Sequence, residues 1–306
     1  MQRFFDLQVN GYGGVDFNGD DLTGEQLHHA CEKLVADQVG GILATIITDG
    51  LDAMCRRLAA IRDLRERDPL AKQVIAGIHI EGPFLNEAPG FRGAHPVDAI
   101  QAADADLTKC LLDAAGGLAR IVTLAPERDP GFRVTRMLSD QRITVSAGHT
   151  DASLDQIRGA MDAGLRMFTH LGNGCPMTLH RHENIIQRVL SLAGRLWITF
   201  IADGVHVPFF ALRNYLRVAG LDRCIVVTDA ISAAGLGPGR YTLGRWDLLI
   251  GEDRVARSPD GSHFVGSAGT MPASFEHLVD GLGLSESDAR RLTRDHPIAA
   301  IESVRA

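Results

Sequence analysis

Apolar segments of strand length recur along the chain, separated by stretches long enough for a helix. Eight of them have strand character, at residues 4–10, 41–47, 74–81, 119–125, 143–149, 167–171, 197–202 and 224–229. Helical patterns lie between them, at residues 23–38, 51–67, 107–115, 153–163 and 209–219. Nearly continuous apolar strands that alternate with helices are typical of a parallel sheet covered by helices. Eight such units predict an α/β fold of the closed (β/α)8 TIM barrel type, with an open doubly wound sheet as the second choice.

The pattern changes after the eighth predicted strand. Residues 241–265 are polar and suggest short alternating strands around Pro259, Asp260 and Gly261. Helices are predicted at residues 272–283 and 285–300. Because the sequence contains no internal repeat and no linker-like segment, we expect residues 1–306 to form one barrel domain.

Composition narrows the class of function. The 306 residues include 31 Lys and Arg against 38 Asp and Glu, a formal net charge of −7, and no run rich in Lys or Arg. This charge argues against nucleic acid or an anionic membrane as partner and favours a small-molecule substrate. No apolar stretch reaches the roughly 18 residues of a spanning helix, and no leader pattern follows Met1, so we expect a cytoplasmic protein. The five Cys are scattered without a C-x-x-C pair, which argues against a disulfide framework or a zinc ribbon.

Polar residues stand at the ends of six predicted strands, each beside glycine or another small residue. They are Gln8 and Asn10, Glu81, His149, His170, His206 and Asp229. The carboxyl ends of barrel strands carry the catalytic residues of this fold. We therefore expect these side chains to point at one place.

The combination of one carboxylate and two imidazoles predicts a metal site. Glu81, His149 and His170 supply the His2Glu set that holds a catalytic zinc with a position open for water. The same set also fits the facial triad of a non-haem iron oxygenase. Asp229 favours hydrolysis because a hydrolase needs a proton shuttle and an oxygenase does not. The plainer alternatives are a structural role for each single His and a helix N-cap for Asp229.

Two loops add candidate binding groups. The segment 81–95 is long and rich in Gly and Pro, which indicates an active-site loop, and its His95 is placed to stabilise an oxyanion unless it is an exposed loop residue. The Gly-rich segment 171–176 is followed by His180, Arg181 and His182. Backbone N–H groups beside a fork-shaped cation suit a phosphate, although a plain surface loop has the same pattern.

An ordered series of motifs resembles the N-acetylglucosamine-6-phosphate deacetylase family of the amidohydrolase superfamily. The motifs are DLQVNGYGGVDF, HIEGPFLN with a later GAHP, VTLAPE, SAGHT, THLGN, ADGVHV, VTDAISAAGLGPGRYTLG and GSAGTM, and they extend over residues 5–271. The resemblance implies hydrolysis of the acetamide of N-acetylglucosamine 6-phosphate to glucosamine 6-phosphate and acetate. Alternatives are an amidohydrolase for another N-acyl amino sugar, N-acyl amino acid or cyclic amide, and a non-catalytic sugar-phosphate-binding protein.

The resemblance also implies roles for the metal and proton-transfer residues. One divalent ion, zinc or iron, would be held by Glu81, His149 and His170, and Asp229 would act as general base and acid. A single ion is implied because Gln8 and Asn10 stand where many amidohydrolases carry the His-x-His of a second metal site.

The substrate-binding residues follow from the resemblance in the same way. His95 and His206 would lie against the amide and the sugar, and Asn173 with Gly174 would help to bind the sugar phosphate. The family offers an arginine near this point, often to a neighbouring subunit, which implies a homodimer and points to Arg181 or His182.

Three departures from the family pattern affect these expectations. The sequence Gly172–Cys175 replaces the usual Phe-Asn-Ala-Met, which removes bulk from the expected pocket wall. His180-Arg181-His182 replaces His-His-Arg, so the arginine is displaced by one position. The small β-sandwich that flanks the barrel in the family is expected to be absent.

Overall fold

The computed structural model describes residues 4–253, 255–258 and 264–302. Its strands are β1 (Phe4–Val9), β2 (Gly11–Tyr12), β3 (Val15–Asp16), β4 (Val39–Ile47), β5 (Ile75–Glu81), β6 (Ala119–Leu124), β7 (Thr144–Ala147), β8 (Leu165–Phe168), β9 (Trp197–Ile201), β10 (Cys224–Val227), β11 (Gly239–Leu243), β12 (Trp246–Ile250) and β13 (Ala256–Arg257). Its α-helices are α1 (Gly24–Ala36), α2 (Leu51–Arg67), α3 (Pro69–Val74), α4 (Ala105–Ala115), α5 (Arg133–Asp140), α6 (Leu154–Asp162), α7 (Ile185–Leu190), α8 (Phe209–Ala219), α9 (Met271–Glu276), α10 (Glu286–Arg290) and α11 (His296–Glu302).

The predicted TIM barrel is confirmed. Strands β1 and β4 to β10 form an eight-stranded sheet in which each strand pairs in parallel with the next along the chain. The sheet closes between its first and last strands, where Val9 bridges Ala230 and the Asn10 N–H donates to the Ala230 carbonyl at 2.7 Å. This closure excludes the open doubly wound alternative.

Several strands end earlier than the apolar pattern predicts. Strand β7 ends at Ala147 and β10 at Val227, whereas the predicted strands continue to residues 149 and 229. The reason is that His149 and Asp229 have positive φ angles, 51° and 52°, which extended backbone does not allow. The chain therefore turns at the positions that carry the polar side chains.

Apolar side chains fill the barrel interior at the end opposite these turns. Leu7, Leu43, Ile121, Met167, Ile201, Ile225 and Val227 form one buried cluster, to which Ala300 of α11 is added. The larger core lies between the sheet and the helices. The amino-terminal end of the barrel interior is thus closed by packed apolar side chains.

The segment after β10 forms a small antiparallel sheet of β11, β12 and β13. The turn predicted at residues 259–261 lies outside the described residues. The two predicted terminal helices are present as α9, α10 and α11, extended by π-helical turns at His277–Gly281 and Arg291–Asp295. Among the described residues no helix has the length and apolarity to cross a membrane. The expected absence of a β-sandwich domain stays a prediction.

Asp6 of β1 gives the fold a measurable dependence on pH. Its carboxyl is buried and accepts hydrogen bonds from the Thr228 hydroxyl at 2.5 Å and the Gln8 N–H at 3.2 Å. Burial raises the pKa of Asp6 from 3.8 to about 7, although these hydrogen bonds lower it. Between these two pH values the folded protein binds more protons than the unfolded chain, so the contribution of Asp6 to stability is lost as the pH rises.

We predict that the free energy of unfolding falls between about pH 5 and about pH 8 more steeply in the wild type than in Asp6→Asn. The amide does not titrate, so the difference between the two proteins isolates the carboxyl group. Urea unfolding at both pH values measures this difference. Equal pH dependence in the two proteins would contradict the raised pKa.

Candidate active site at the carboxyl ends of the strands

The predicted metal-ligand residues meet above the carboxyl end of the barrel. Glu81 is the last residue of β5, and His149 and His170 each follow a strand by two residues. Nε2 of His170 lies 3.0 Å from Oε1 of Glu81, and Nε2 of His149 lies 3.4 Å from the same oxygen. Gln8 donates from Nε2 to both oxygens of Glu81 at 3.2 Å. The structure thus gathers the predicted set around one carboxylate.

Glu81 is ionised although it is buried. Its exposed fraction is 2%, and those of His149 and His170 are 7% and 3%. Burial raises the pKa of Glu81, but hydrogen bonds to the two imidazoles outweigh burial and hold that pKa well below its ordinary value. Burial lowers the pKa of His170, and the hydrogen bond to Glu81 reverses this and leaves the pKa raised. The cluster is therefore an ionised carboxylate surrounded by imidazole rings and shielded from water.

The backbone at the site is strained. His149, His170 and Asp229 have φ angles of 51°, 33° and 52°, in the left-handed region that residues with a side chain seldom adopt. Each such residue costs on the order of 1–3 kcal/mol and persists only where its surroundings enforce it. One enforcing contact is the hydrogen bond from the His170 N–H to the Thr199 hydroxyl at 2.7 Å. Strain at three predicted site positions supports a functional role for all three.

Asp229 carries a carboxyl group suited to proton transfer. Burial raises its pKa to about 6, and the nearby negative charge of Glu81 adds to this effect. Asn10 donates from Nδ2 to Oδ1 of Asp229 at 2.7 Å. A carboxyl group that titrates near neutral pH exchanges a proton more readily than an ordinary Asp.

His95 lies closer to the cluster than its predicted role in oxyanion binding requires. Its Nε2 is 3.3 Å from Nε2 of His149, and Glu81, His95 and His149 each offer a ligand atom within 4.8 Å of the others. Burial and the neighbouring His149 lower the pKa of His95 to about 3, so the ring is neutral. The ring is buried and not an exposed loop residue.

The residues present fit a divalent metal. One ionised carboxylate and three imidazoles converge here, and these are donors that zinc and iron accept. In the described part of the chain, Nδ1 of His170 and Nδ1 of His95 are buried without a hydrogen-bond partner. The Nε2 atoms of His149 and His170 face one oxygen of Glu81, an arrangement in which imidazole and carboxylate ligands can share a cation.

His206 is held by an aspartate that the sequence analysis did not select. Asp203 accepts the Nδ1 hydrogen of His206 at 2.6 Å through Oδ2, and its Oδ1 accepts the N–H groups of Val205 and His206 at 2.9 Å. Ser267 donates a further bond to Oδ2 at 3.3 Å. Burial raises the pKa of Asp203, but the bond from His206 outweighs it and leaves the pKa lowered. Asp203 stands three residues before His206 in the sequence, and this spacing is the signal that could have identified it as a partner of the ring.

The predicted phosphate-binding residues divide into two groups. Asn173 lies at the cluster, where its Nδ2 donates to the His170 carbonyl at 3.3 Å, and a Cβ added at Gly174 would meet the His149 ring. Arg181 and His182 are exposed, and among the described residues their side chains form no hydrogen bond or ion pair. The structure therefore brings the first pair to the cluster and leaves the second pair on the surface.

Glu127 is a second residue that the sequence analysis missed. Its Oε1 accepts from Asn86 Nδ2 at 2.9 Å and from the Asp151 N–H at 2.8 Å, and its Oε2 accepts the Thr150 hydroxyl. Glu127 thus ties the loop after β5 to the segment that follows His149. The VTLAPE motif contains this residue, but nothing in that motif predicts its partners.

A (β/α)8 barrel with a buried carboxylate–imidazole cluster and an Asp of raised pKa at its strand ends defines a metal-dependent hydrolase. No family model matches the chain. The chain is 33% identical over 302 residues to N-acetylglucosamine-6-phosphate deacetylase of Bos taurus, covering 96% of this chain and 72% of that protein. It therefore belongs to the N-acetylglucosamine-6-phosphate deacetylase family, as its motifs predict.

Two further comparisons agree with this assignment. The chain is 29% identical over 296 residues to N-acetylgalactosamine-6-phosphate deacetylase of Escherichia coli O157:H7, covering 96% of this chain and 76% of that protein. It superimposes with a TM-score of 0.87 on the crystal structure of N-acetyl-D-glucosamine-6-phosphate deacetylase from Mycobacterium smegmatis, at 30% identity, covering 98% of this chain and 78% of that one.

We predict that Asp203→Asn reverses the tautomer of His206. The two backbone N–H groups will keep the amide oxygen, so the amide nitrogen will face Nδ1 of His206 and the ring will carry its proton on Nε2. Because His206 is expected to lie against the sugar, the wrong tautomer should cost its hydrogen bond to the substrate and lower kcat/KM by about tenfold. Nitrogen-15 NMR of the histidine rings reports the tautomer directly.

The matched control is Ser267→Ala, which removes the weaker contact to Asp203 and leaves its charge in place. This variant should keep the wild-type tautomer. An unchanged His206 spectrum in Asp203→Asn would disprove the orienting role of Asp203.

Proposed function

We propose that this chain hydrolyses the acetamide of N-acetylglucosamine 6-phosphate to glucosamine 6-phosphate and acetate. The observation that carries the proposal is the buried Glu81 carboxylate between His149 and His170, with Asp229 beside it, in a chain of the deacetylase family. The galactosamine epimer is the second candidate, because one relative of similar identity carries that name.

We propose that Glu81, His149 and His170 hold one divalent ion, zinc or iron. When bound, such an ion supplies an acidified water and a Lewis acid for the amide carbonyl. Gln8 and Asn10 are already hydrogen-bonded to Glu81 and Asp229, and an amide is a weaker ligand than imidazole, so a second ion is not expected.

Asp229 is the proposed proton shuttle. As water attacks the carbonyl carbon, a carboxylate oxygen of Asp229 accepts a water proton. It then returns this proton to the amide nitrogen as the C–N bond breaks, which releases the amine and acetate. Asn10 keeps Oδ1 of Asp229 oriented during both transfers.

The neutral ring of His95 is proposed to donate a hydrogen bond to the carbonyl oxygen as negative charge develops there. His206, fixed by Asp203, is proposed to bind the sugar. Asn173 and Gly174 are proposed to bind the phosphate.

Arg181 and His182 are proposed to supply cationic groups to the phosphate of a bound substrate. Because both side chains are exposed, they are also available to a second copy of the chain, in keeping with the predicted homodimer. We place the reaction in the cytoplasm, since a sugar phosphate is charged and does not diffuse across membranes.

We predict that the purified protein releases acetate from N-acetylglucosamine 6-phosphate and that Asp229→Asn retains substrate binding but loses turnover by roughly 100-fold or more. The amide still accepts the Asn10 hydrogen bond but does not take a proton. Acetate release on both sugar epimers, with and without phosphate, measures kcat and KM. Faster turnover of the galactosamine epimer would favour the second candidate, and no turnover of any of them would contradict the proposal.

We predict that the protein binds one equivalent of divalent metal and that His149→Ala loses it together with activity. Elemental analysis of both proteins measures the stoichiometry. For the metal content, His182→Ala is the matched control because that exposed ring is outside the ligand set. Two equivalents in the wild type, or full metal content in His149→Ala, would refute the proposed ligands.

A further inference from the structure

The hairpin of β11 and β12 has no role in the chemistry proposed above. Its two strands are joined by Gly244 and Arg245, with Leu243 paired to Trp246. Gly244 has a φ of 55°, at the first turn position, where two-residue hairpins favour glycine. Its N–H donates to Oδ2 of Asp16 at 2.7 Å, which fixes the turn against β3.

The hairpin is packed firmly against the barrel. Leu243, Leu248 and Ile250 are buried in one cluster with Ile47, the last residue of β4, and Ile231, which follows β10 by four residues. Ala94 and Trp246 pack against this cluster. The hairpin is thus anchored to the rim of the barrel that carries the active site.

The turn of the hairpin binds the loop on both sides of His95. Trp246 donates from Nε1 to the Ala94 carbonyl at 2.7 Å. Arg245 donates from Nη1 to Oδ2 of Asp98 at 2.8 Å. Two successive hairpin residues therefore contact the residue before His95 and the residue three positions after it.

Arg245, which binds Asp98 of the loop, also binds the buried carboxylate of Asp49. Its Nε donates to Oδ1 of Asp49 at 2.7 Å, and Oδ2 of Asp49 accepts from Nη1 of Arg57 in α2 at 2.8 Å. The side chains of Asp49 and Arg57 are only 7% and 6% exposed, so this pair is shielded from solvent, whereas the Arg245 side chain is 39% exposed and reaches Asp49 from the surface. The loop is thereby tied to α2.

The buried His95 ring has few polar contacts that fix its orientation. Residues 82–104 between β5 and α4 contain no described helix or strand. The His95 ring contacts His149, and its Nδ1 has no hydrogen-bond partner among the described residues. The position of His95 therefore depends on how the neighbouring backbone is held.

We infer that Trp246 and Arg245 are positioning residues that place the His95 ring against the reacting carbonyl. The inference rests on the proposed deacetylation and assigns the hairpin a role in it. Displacement of a catalytic group by about 1 Å can cost as much as 100-fold in rate, so loss of one of these contacts should lower kcat more than it raises KM.

The test compares Trp246→Phe with Tyr241→Phe. Trp246→Phe removes the donor to Ala94 and keeps an aromatic ring. Tyr241→Phe also keeps an aromatic ring and removes a hydrogen bond to the carbonyl of Gly237, just before β11, instead of a hydrogen bond to the loop. We expect kcat to fall about tenfold in Trp246→Phe, with KM within about twofold of wild type, and no change in Tyr241→Phe. Equal effects of the two substitutions would overturn the inference.

A double-mutant cycle separates positioning from general destabilisation. In a His95→Ala background, Trp246→Phe should cause no further loss of kcat, because the group that it positions is absent. Additive losses would show that Trp246 acts independently of His95 and would also overturn the inference.

Hydrogen exchange distinguishes this inference from the proposed function. Faster amide exchange within residues 86–98 in Trp246→Phe, but not in Tyr241→Phe, is expected whether or not the wild type releases acetate. Unchanged exchange would reject the hairpin contact as a restraint on the loop. A wild type without acetate release but with this exchange difference would instead refute the proposed function alone.

Discussion

The structure depends on one buried carboxylate. An ionised Glu81 shielded from water is costly unless donors surround it, and those donors come from three different parts of the barrel. Gln8 reaches it from β1, and His149 and His170 reach it from the turns after β7 and β8. To bring the two imidazoles to the same oxygen, the chain leaves the extended conformation at both histidines and accepts positive φ angles.

The layer below the cluster explains how this strain is held. The His79 ring is hydrogen-bonded to the Leu7 carbonyl at 3.2 Å and to the Thr123 hydroxyl at 2.8 Å. The Thr123 hydroxyl is hydrogen-bonded in turn to that of Thr169, and Thr169 to the hydroxyl of Ser146. Three of these side chains come from β5, β6 and β7, and the fourth, Thr169, follows β8 and directly precedes His170. A fully bonded polar network restricts its members to one arrangement more strongly than apolar contacts do. The interior thus changes from packed apolar side chains to a hydrogen-bonded layer and then to the charged cluster.

The sequence predicted those site residues that stand at recognisable positions in the local pattern of apolar and polar residues. Glu81, His149, His170 and Asp229 stand at the ends of apolar runs, and the barrel geometry brings such ends together. Trp246 could not be assigned in this way, since its partner Ala94 lies 152 positions away and neither residue has an unusual local context. The early strand ends were missed for a related reason. An apolar pattern reports burial, whereas the φ angle at His149 is imposed by tertiary contacts.

The glycine at position 174 shows how the same cluster constrains a neighbouring loop. By its resemblance to the family, the chain has Gly174 where Ala is usual, and the sequence analysis interpreted this difference as a loss of bulk in the expected pocket wall. In the structure, Gly174 has a φ of 61°, and a Cβ added there would lie 3.0 Å from Nδ1 of His149. That ring has little freedom to withdraw, because its Nδ1 is bonded to the Phe91 carbonyl at 2.8 Å and its Nε2 faces Glu81. The absence of a side chain at position 174 therefore relieves a clash with a proposed metal ligand, so this substitution is by itself no reason to infer a different substrate.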